Sequence, residues 1–507
     1  MYNMEKFDLL KLKSGTDVRG VASEGIAGEP INLTDEAVIL IVKAFLKRQC
    51  QKLGVPSVKI AVGNDSRISA NRIVNAVKTA VLESGCDMVY TGLSSTPSMF
   101  MLLKKPSWGC QASIMITASH LPFNRNGLKF FTPEGGLEGS DISEILNIAA
   151  EGDFLSGNGS YSEKRFIGEY SADLVDFVKR SSNLDLPLLG KKIIVDAGNG
   201  AGGFFVDEVL KPLGANTEGS QFLNPDGTFP NHIPNPEDKT AMAAIKKAVI
   251  ESGADLGIIF DTDVDRAAVV DKNGEEINRN KLIALISAIL LKEKPGTIVT
   301  DSVTSDGLAE FIKSRGGKHV RFKRGYKNVI GKSVELNAAG EYSPLAIETS
   351  GHAALKENYF LDDGAYLITR ILTSLSNENG ESVSALIADL KEAKEECEIR
   401  LTFKPDCDFK ALGLGVIEDL KVAAINMQET TLAPDNYEGV RINFDKDNDN
   451  GWVLVRMSVH DPIMPINIES DAVGGTYIIA ERLYNLIKGY EFLNTEKLKN
   501  YFNKGEN

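Results

Sequence analysis

Apolar and polar positions along the chain fall into a unit that recurs three times. Val58 to Gly63 is a short apolar run, Asn64 to Ser69 is a polar loop ending in an N-cap residue, Ala70 to Ser84 carries apolar residues at helical spacing, and Met88 to Thr91 is a second short run. The same order returns in Lys192 to Asp196, the Gly-rich loop 197–203, a helix over Phe204 to Leu213 and a weak return near Asn216. It returns again in Gly296 to Asp301, the loop 302–305, a helix over Asp306 to Arg315 and the run His319 to Phe322. Strand, polar loop, helix, strand predicts parallel or mixed sheets with βαβ crossovers, and three well-separated copies predict three related α/β domains. In such sheets the active loops lie at the carboxyl ends of the strands. A further helix is predicted over Asp35 to Leu53, and the apolar stretch Leu282 to Leu291 predicts a buried helix, since it is about half a membrane span. The last hundred or so residues change character. A charged helix over Ala385 to Glu396 is expected to give way to the strand Cys397 to Phe403, further strands of which Gly451 to Ser458 is the clearest, and a closing amphipathic helix over Thr476 to Ile487. The expected domains are 1–165, 166–278, 279–396 and a smaller α+β domain, 397–507.

A chain of 507 residues suits roughly three or four domains, and 43% hydrophobic with 25% charged residues describes a globular protein with several cores. The net charge of -14 argues against a nucleic-acid or anionic-membrane surface, so neither partner is expected. An acidic protein that binds phosphates must gather its cations locally. The five cysteines are scattered, odd in number and without a CxxC pair, which disfavours a disulfide framework or a zinc site and suggests a reducing compartment. The first fifteen residues are charged and lack an apolar core, so no signal peptide is expected and the cytoplasm is the expected location.

The stretch 115–131 departs from the regular pattern. Its apolar lead-in stops at Thr117-Ala118-Ser119-His120, and apolar residues resume around Lys129 after Asn126-Gly127. Asn-Gly between apolar runs signals a hairpin. A hydroxyl, an imidazole and an ammonium on one loop suit a nucleophile or phosphate carrier with cationic helpers; an ordinary surface hairpin is the competing reading. Near the start, Lys13 to Gly20 reads as a Gly-bounded loop carrying Arg19. After the apolar strand Leu256 to Phe260 come Asp261, Asp263 and Asp265, which project to one side if the chain is extended. Three carboxylates with no thiolate or imidazole suit Mg²⁺, and Arg266 and Lys272 stand where an EF-hand would need Gly and Glu. Arg266 would moderate the charge and reach a phosphate. Glu348-Thr349-Ser350-Gly351-His352 combines acceptors and donors suited to sugar hydroxyls. Four of the five histidines, His120, His232, His352 and His460, fall in Gly- or Pro-containing loops, although His232 reads equally well as structural. Gly198 to Gly203 matches GxGxxG with Glu218 about twenty residues on, but lacks a convincing second strand. Gly325 to Ser333 misses the P-loop spacing by one residue.

Taken together these stretches resemble the alpha-D-phosphohexomutase family, the phosphomannomutase/phosphoglucomutase enzymes, in the family's order over nearly the whole chain. Thr117 to Lys129 resembles the phosphoserine loop, Asp261 to Arg266 the metal loop, Glu348 to His352 the sugar loop, and Arg456-Met457-Ser458 the start of the phosphate loop. Lesser matches are Gly15 to Gly20, Val195 to Gly200 and Phe360 to Gly364. The resemblance implies three similar α/β domains plus a smaller C-terminal domain around a central cleft. It implies a phosphohexomutase acting on mannose or glucose phosphates, with Ser119 carried as phosphoserine, a sugar 1,6-bisphosphate as intermediate and activator, and Mg²⁺ held by Asp261, Asp263, Asp265 and Ser119. Arg19, His120, Lys129 and Arg266 would be the nearby cations or proton carriers. Glu348, Ser350 and His352 would hold the sugar, and Arg456, Ser458 and His460 the phosphate that is not transferred. The oligomeric state does not follow.

The chain departs from the family pattern at Leu121, where Asn is usual, and at Val459-His460-Asp461 in the phosphate loop. Val459 supplies no polar group and resists positive φ. Pro225 to Pro236 looks more like the hexose mutases than the glucosamine ones, yet Thr349 matches neither group. A phosphoglucosamine mutase, a non-catalytic sugar-phosphate-binding relative and a metal-dependent phosphatase therefore stand as alternatives.

Overall fold

Where the sequence alternates short apolar runs with amphipathic helices, a computed structural model places sheets flanked by helices. The structure describes residues 9–376, 382–405, 407–445, 450–458 and 461–506; Val459 and His460 lie outside the described residues. The chain divides into two units, one reaching to Ile289 and including Ser350–Leu386, the other Leu290–Thr349 with the chain from Ile387 onward.

The first unit holds two sheets. Strands β1 (Lys13–Ser14), β2 (Asp17–Val21), β3 (Lys59–Asn64), β4 (Asp87–Leu93), β5 (Ala112–Ile116), β6 (Arg125–Thr132), β7 (Gly135–Gly136) and β8 (Tyr161–Glu163) form one, ordered β1-β2-β6-β5-β3-β4-β8 with β7 on β6. The pairings of β3 with β4 and β5 are parallel, and β6 runs antiparallel between β5 and β2. The helix Asp35–Leu53 begins where Thr34 Oγ1 accepts from Ala37 N–H at 3.1 Å and ends at left-handed Gly54. It lays Ile41, Phe45 and Leu46 on the sheet, with the Phe45 ring 4.6 Å from that of Phe130. Each such fully buried side chain is worth about 1.5–3 kcal/mol. In the second sheet, β9 (Ile193–Asp196) lies parallel to β10 (Leu256–Phe260), followed antiparallel by β11 (Ala267–Asp271) and β12 (Glu276–Ile277). Every residue of β9, β10 and β11 is buried, which is why their sequences are continuous rather than alternating apolar runs. The unit closes with the antiparallel pair Ala353–Leu355 and Leu361–Asp362 and the helix Gly364–Leu375.

In the second unit, β13 (Thr297–Asp301) is parallel to both β14 (Lys318–Phe322) and β15 (Leu345–Ile347), with helices Asp306–Ser314 and Tyr326–Ala338 as crossovers. The C-terminal part is an antiparallel sheet of β16 (Glu395–Phe403), β17 (Thr430–Leu432), β18 (Val440–Phe444), β19 (Gly451–Val455), β20 (Ile463–Ser470) and β21 (Leu493–Asn494), ordered β17-β18-β19-β20-β16-β21. Leu420, Ile466, Ile479 and Leu483 share its core.

Four sequence expectations change. Residues 385–396 form no long helix: a single turn, Ala385–Ile387, precedes β16, which takes in Glu395 and Glu396 and whose Ile399, Leu401 and Phe403 alternate inward. Over 204–213 there is a wide turn, Phe205–Leu210, and a tight turn, Lys211–Leu213, where Pro212 supplies no N–H; the return is only bridges at Asn216 and Gln221. Asn126-Gly127 is not the hairpin turn but part of β6, and the loop is 117–124. Gly127 is required there because a Cβ would stand 2.3 Å from Val18 O. Arg19 lies on β2, not a loop, after a tight turn at Gly15.

His232 is structural in the described fold. Its Nδ1 stands 2.9 Å from Ile233 O and its Nε2 3.0 Å from Asp196 Oδ2, so both nitrogens face acceptors and the imidazolium is the form that satisfies both. Burial opposes the charge, but the hydrogen bond and charge of Asp196, with Asp238 beyond, hold the pKa above its ordinary value. A raised folded pKa gives stability that is present below the unfolded value of about 6.5 and lost as pH rises through the folded one. As pH rises above the unfolded value of about 6.5, the thermal unfolding midpoint is expected to fall, and His232→Gln is expected to flatten that dependence.

Candidate functional site

The hydroxyl of Ser119 sits in a loop whose backbone is fixed from below. Ser119 has φ 52, an uncommon conformation for a residue with a side chain, and is 4% exposed. Two residues of the polar loop after β3 hold it there. Arg67, 2% exposed, donates to the carbonyls of Leu121 at 2.7 Å, Pro122 at 2.8 Å and Arg125 at 2.9 Å, and also to Ser119 O. Asp65 accepts from Thr117 Oγ1 at 2.7 Å and from Arg67 N–H at 3.0 Å, and Thr117 Oγ1 accepts from Ser119 N–H at 2.9 Å. Ser69, expected to cap a helix, instead bonds its hydroxyl to Asn126 Nδ2 at 3.0 Å. In the sequence this segment reads as a polar loop ending in an N-cap residue. A single buried Arg in a short loop between strand and helix carries no local signal of which carbonyls it will serve.

Ser119 Oγ lies 3.2 Å from His120 Nδ1 and 3.3 Å from Asp261 Oδ2. Burial, and then the charges of Arg266 and Arg19, push the His120 pKa down to about 3, so the imidazole is neutral near pH 7. The carboxylates do not lie on an extended chain as expected: the loop 261–266 is a tight turn with Val264 at φ 66, and Val264 N–H returns to Asp261 O at 3.3 Å. They converge all the same, with one oxygen from each of Asp261, Asp263 and Asp265 within 4.8 Å of the others, all three buried. Lys129 Nζ on β6 reaches Asp265 Oδ2 at 2.5 Å and Asp263 Oδ2 at 3.1 Å. Arg266 Nε is 3.3 Å from Asp261 Oδ2, and its NH1 bonds Asn235 Oδ1 at 3.2 Å. Arg19 Nη2 donates to Asp17 at 2.8 Å. Burial, reinforced by Asp265 and Asp263, holds Asp261 well above the usual carboxylate range. Burial works the same way on Asp265, but Lys129, His352 and Arg266 outweigh it and hold its carboxyl far below that range.

The carboxylate cluster fits a hard cation. Asp263 Oδ1 and Asp265 Oδ1 are buried with no hydrogen-bond partner, so two oxygens are left for a metal, and Ser119 Oγ stands beside the third carboxylate.

Several residues support this turn. Thr96 N–H donates to Asp263 O at 2.8 Å, and its hydroxyl donates to Asp263 Oδ2. Asp363 accepts from Tyr170 Oη at 2.6 Å and caps the helix beginning at Gly364, whose N–H reaches Val264 O at 3.1 Å. The GxGxxG segment belongs here too. Ala201 N–H bonds Thr262 O at 2.8 Å, and a Cβ on Gly200 would stand 2.7 Å from that carbonyl, so the glycine lets the two loops approach. His352 joins the cluster: its Nδ1 bonds Asp362 Oδ2, its backbone bridges to Arg266, and a ring nitrogen lies within 4.8 Å of an Asp265 oxygen. Ser350 is half-buried at the turn before it.

The second unit holds the remaining described residues in its own cluster. Glu348 Oε1 accepts from Gly325 N–H at 2.6 Å. Thr349, 2% exposed, donates its hydroxyl to Asp301 Oδ2 at 2.8 Å, so this departure from both sugar groups is turned into the protein and carries no information on the sugar. Arg456, 7% exposed, lies beside Glu438, and Ser458 Oγ accepts from Asp461 N–H at 3.2 Å.

Fold and site together define a multidomain α/β enzyme in which a buried hydroxyl faces a cluster of carboxylates that could hold a cation. Residues 11–156 match the family Phosphoglucomutase/phosphomannomutase, alpha/beta/alpha domain I, residues 169–274 match domain II and residues 278–393 match domain III. A phosphoglucomutase of Neisseria meningitidis serogroup A is 30% identical over 476 residues, covering 93% of this chain and 95% of the relative. A phosphomannomutase/phosphoglucomutase of Pseudomonas aeruginosa is 29% identical over 90% of each chain. A crystal structure of a phosphoglucomutase/phosphomannomutase family protein from Burkholderia thailandensis is similar with TM-score 0.77 at 25% identity, covering 94% of this chain and 97% of that one. The chain belongs to the phosphoglucomutase/phosphomannomutase family, with three α/β/α domains and a C-terminal sheet-rich domain.

Replacing Arg67 by Lys keeps a charge but cannot serve four carbonyls from one planar group. Arg67→Lys is expected to lower turnover by about 100-fold, the scale of a 1 Å misplacement of a reacting group. Steady-state rates compared with the unfolding midpoint check this, since a loss explained by unfolding alone would track the midpoint.

Proposed function

We propose that the chain is a phosphohexomutase that interconverts hexose 1-phosphates and hexose 6-phosphates of glucose or mannose through a phosphoserine at Ser119. The observation that carries the reading is the position of Ser119 Oγ, 3.3 Å from a carboxylate of the cation cluster and 3.2 Å from a neutral imidazole nitrogen. Membership of the family and the names of its relatives support the substrate class.

In the proposed reaction the phosphoryl on Ser119 Oγ passes to the free hydroxyl of a bound sugar phosphate. The Oγ–P bond breaks, a P–O bond to the sugar forms, and as the sugar hydroxyl gives up its proton Ser119 Oγ takes one up from His120 Nδ1, which stands 3.2 Å away. The resulting 1,6-bisphosphate returns its other phosphoryl to Ser119: the Oγ–P bond forms as Oγ passes its proton to His120 Nδ1, the P–O bond to the sugar breaks, and the freed sugar oxygen takes up a proton. A sugar 1,6-bisphosphate supplied from outside would prime unphosphorylated enzyme by the same step. Mg²⁺ held by Asp261, Asp263, Asp265 and a Ser119 oxygen would neutralise charge on the transferring group. Lys129, Arg266 and Arg19 add positive charge around that group, since such transfers need positioning and charge neutralisation more than covalent help. Glu348, Ser350 and His352 would bind sugar hydroxyls. Arg456 and Ser458, with His460, would bind the phosphate not being transferred. Among the described residues no helix is long and apolar enough to cross a membrane, and Cys50, Cys86, Cys110, Cys397 and Cys407 are free thiols, which suits a cytoplasmic enzyme.

Intact mass of purified protein, with Ser119→Ala as control, and ³¹P NMR with glucose 1-phosphate or mannose 1-phosphate, Mg²⁺ and a trace of 1,6-bisphosphate test the reading. A phosphate-sized mass on wild type only, and conversion to the 6-phosphate, are expected. Net phosphate release would favour a phosphatase, and conversion of glucosamine 1-phosphate alone would name that sugar. Absence of all three would leave a binding protein. Asp263→Asn is expected to cost about 10²–10³-fold in turnover, the scale for losing one charge-stabilising group. A chelator is expected to abolish turnover, with Mg²⁺ restoring it.

A further inference from the structure

Arg456 is buried, yet its Nε has no hydrogen-bond partner among the described residues. The carboxylate beside it, Glu438 Oε1, is 3.8 Å from its NH1, an ion pair but too long for a hydrogen bond. Glu438 is itself held by the neighbouring loop: its Oε2 accepts from Ser302 Oγ at 2.7 Å and from the backbone N–H of Arg324 at 3.0 Å. The Arg324 side chain, 29% exposed, places its Nε 3.9 Å from Asp301 Oδ2, and Asp301 is already engaged by the hydroxyl and N–H of Thr349. Arg456 meets its carboxylate only at this longer range, and Arg324 joins the same cluster through its backbone N–H to Glu438 and the approach of its side chain to Asp301. Burial, and the charge of Arg324 in turn, disfavour the charged form of Arg456, as expected of two cations that face a common point; Glu438, Glu398 and Asp301 act the other way.

We propose that Arg324 is a second phosphate-binding guanidinium that acts with Arg456 on the non-transferred phosphate of the sugar, with Glu438 as the counter-ion of the pair. The proposal rests on the reading of Arg456 as a phosphate ligand. A phosphate offers three oxygens, and a planar guanidinium meets two of them side by side. In the sequence, the apolar Val459 stands where the family pattern has a polar or flexible residue, which is one donor fewer. Arg324 supplies the charge from a different segment of the chain.

The test uses full-length Arg324→Gln, Arg324→Lys, Arg456→Gln and Glu438→Gln, with KM and kcat for glucose 1-phosphate and the inhibition constant of inorganic phosphate. Arg324→Gln is expected to raise KM and the phosphate inhibition constant by about tenfold, the scale of one charged hydrogen bond, with kcat changed much less. Arg324→Lys is expected to recover part of that loss, and Glu438→Gln to tighten phosphate several-fold. A purely structural role for Arg324 would lower the unfolding midpoint without a selective effect on phosphate, which would overturn the proposal. So would an unchanged KM in Arg324→Gln alongside a raised one in Arg456→Gln, which leaves the reading of Arg456 intact. An unchanged KM in both would overturn the proposal together with that reading.

Discussion

Three carboxylates buried within 4.8 Å of one another set the terms for the first unit. Such a cluster is unfavourable unless cations or donors are supplied, because burial removes the water that would otherwise solvate each charge. The fold meets this from several segments at once. Lys129 comes from the strand after the serine loop, Arg266 from the end of the carboxylate loop itself, and Thr96 and the turn at Gly200 fix the backbone. The balance is incomplete: two buried oxygens stay unbonded and Asp261 is pushed towards its protonated form. A divalent cation with a phosphorylated hydroxyl alongside would complete it, so the same imbalance that burdens the fold is what makes the cluster useful for phosphoryl transfer.

The serine loop faces a complementary difficulty. It must hold Ser119 in a left-handed conformation that costs on the order of 1–3 kcal/mol and persists only when its surroundings over-determine it. Arg67 supplies that constraint through three carbonyls of the loop and that of Arg125 where β6 begins, and Asp65 through Thr117. The two loops are therefore rigid for different reasons, one through charge and the other through hydrogen bonds to backbone.

Much of this was legible in the sequence where spacing carries the information. The triple strand–loop–helix pattern gave the α/β architecture, the helix Asp35–Leu53 begins and ends where its cap residues place it, and acids directly after a buried strand marked the buried carboxylate cluster. What was illegible depends on contacts remote in sequence. Arg67 serves a loop more than fifty residues away, and Thr96 reaches an acid 167 residues away. The charged run before β16 shows the opposite failure: helix propensity over a short segment does not hold a helix by itself, and its last residues join the strand. The Asn-Gly pair misled because the close approach of β2 to β6, rather than a turn, calls for its glycine. Thr349 misled by position, since a residue inside a recognition motif need not face the ligand.

That last point bears on how such a site can serve a mutase. During the proposed cycle the two phosphates of the bisphosphate exchange roles, so the groups that hold the idle phosphate must accept it from either end of the sugar. Shape complementarity to one orientation would defeat this. Convergent point charges and planar guanidinium groups do not, because they recognise the phosphate and not what it is attached to. A cluster that gathers guanidinium groups is what that requirement selects, and in the proposal Arg456 and Arg324 meet beside Glu438 in that way. Glu438 belongs in it for the same reason: like charges gathered to meet a dianion need a counter-charge to keep the cluster folded, and one held 3.8 Å off leaves the guanidinium donors available.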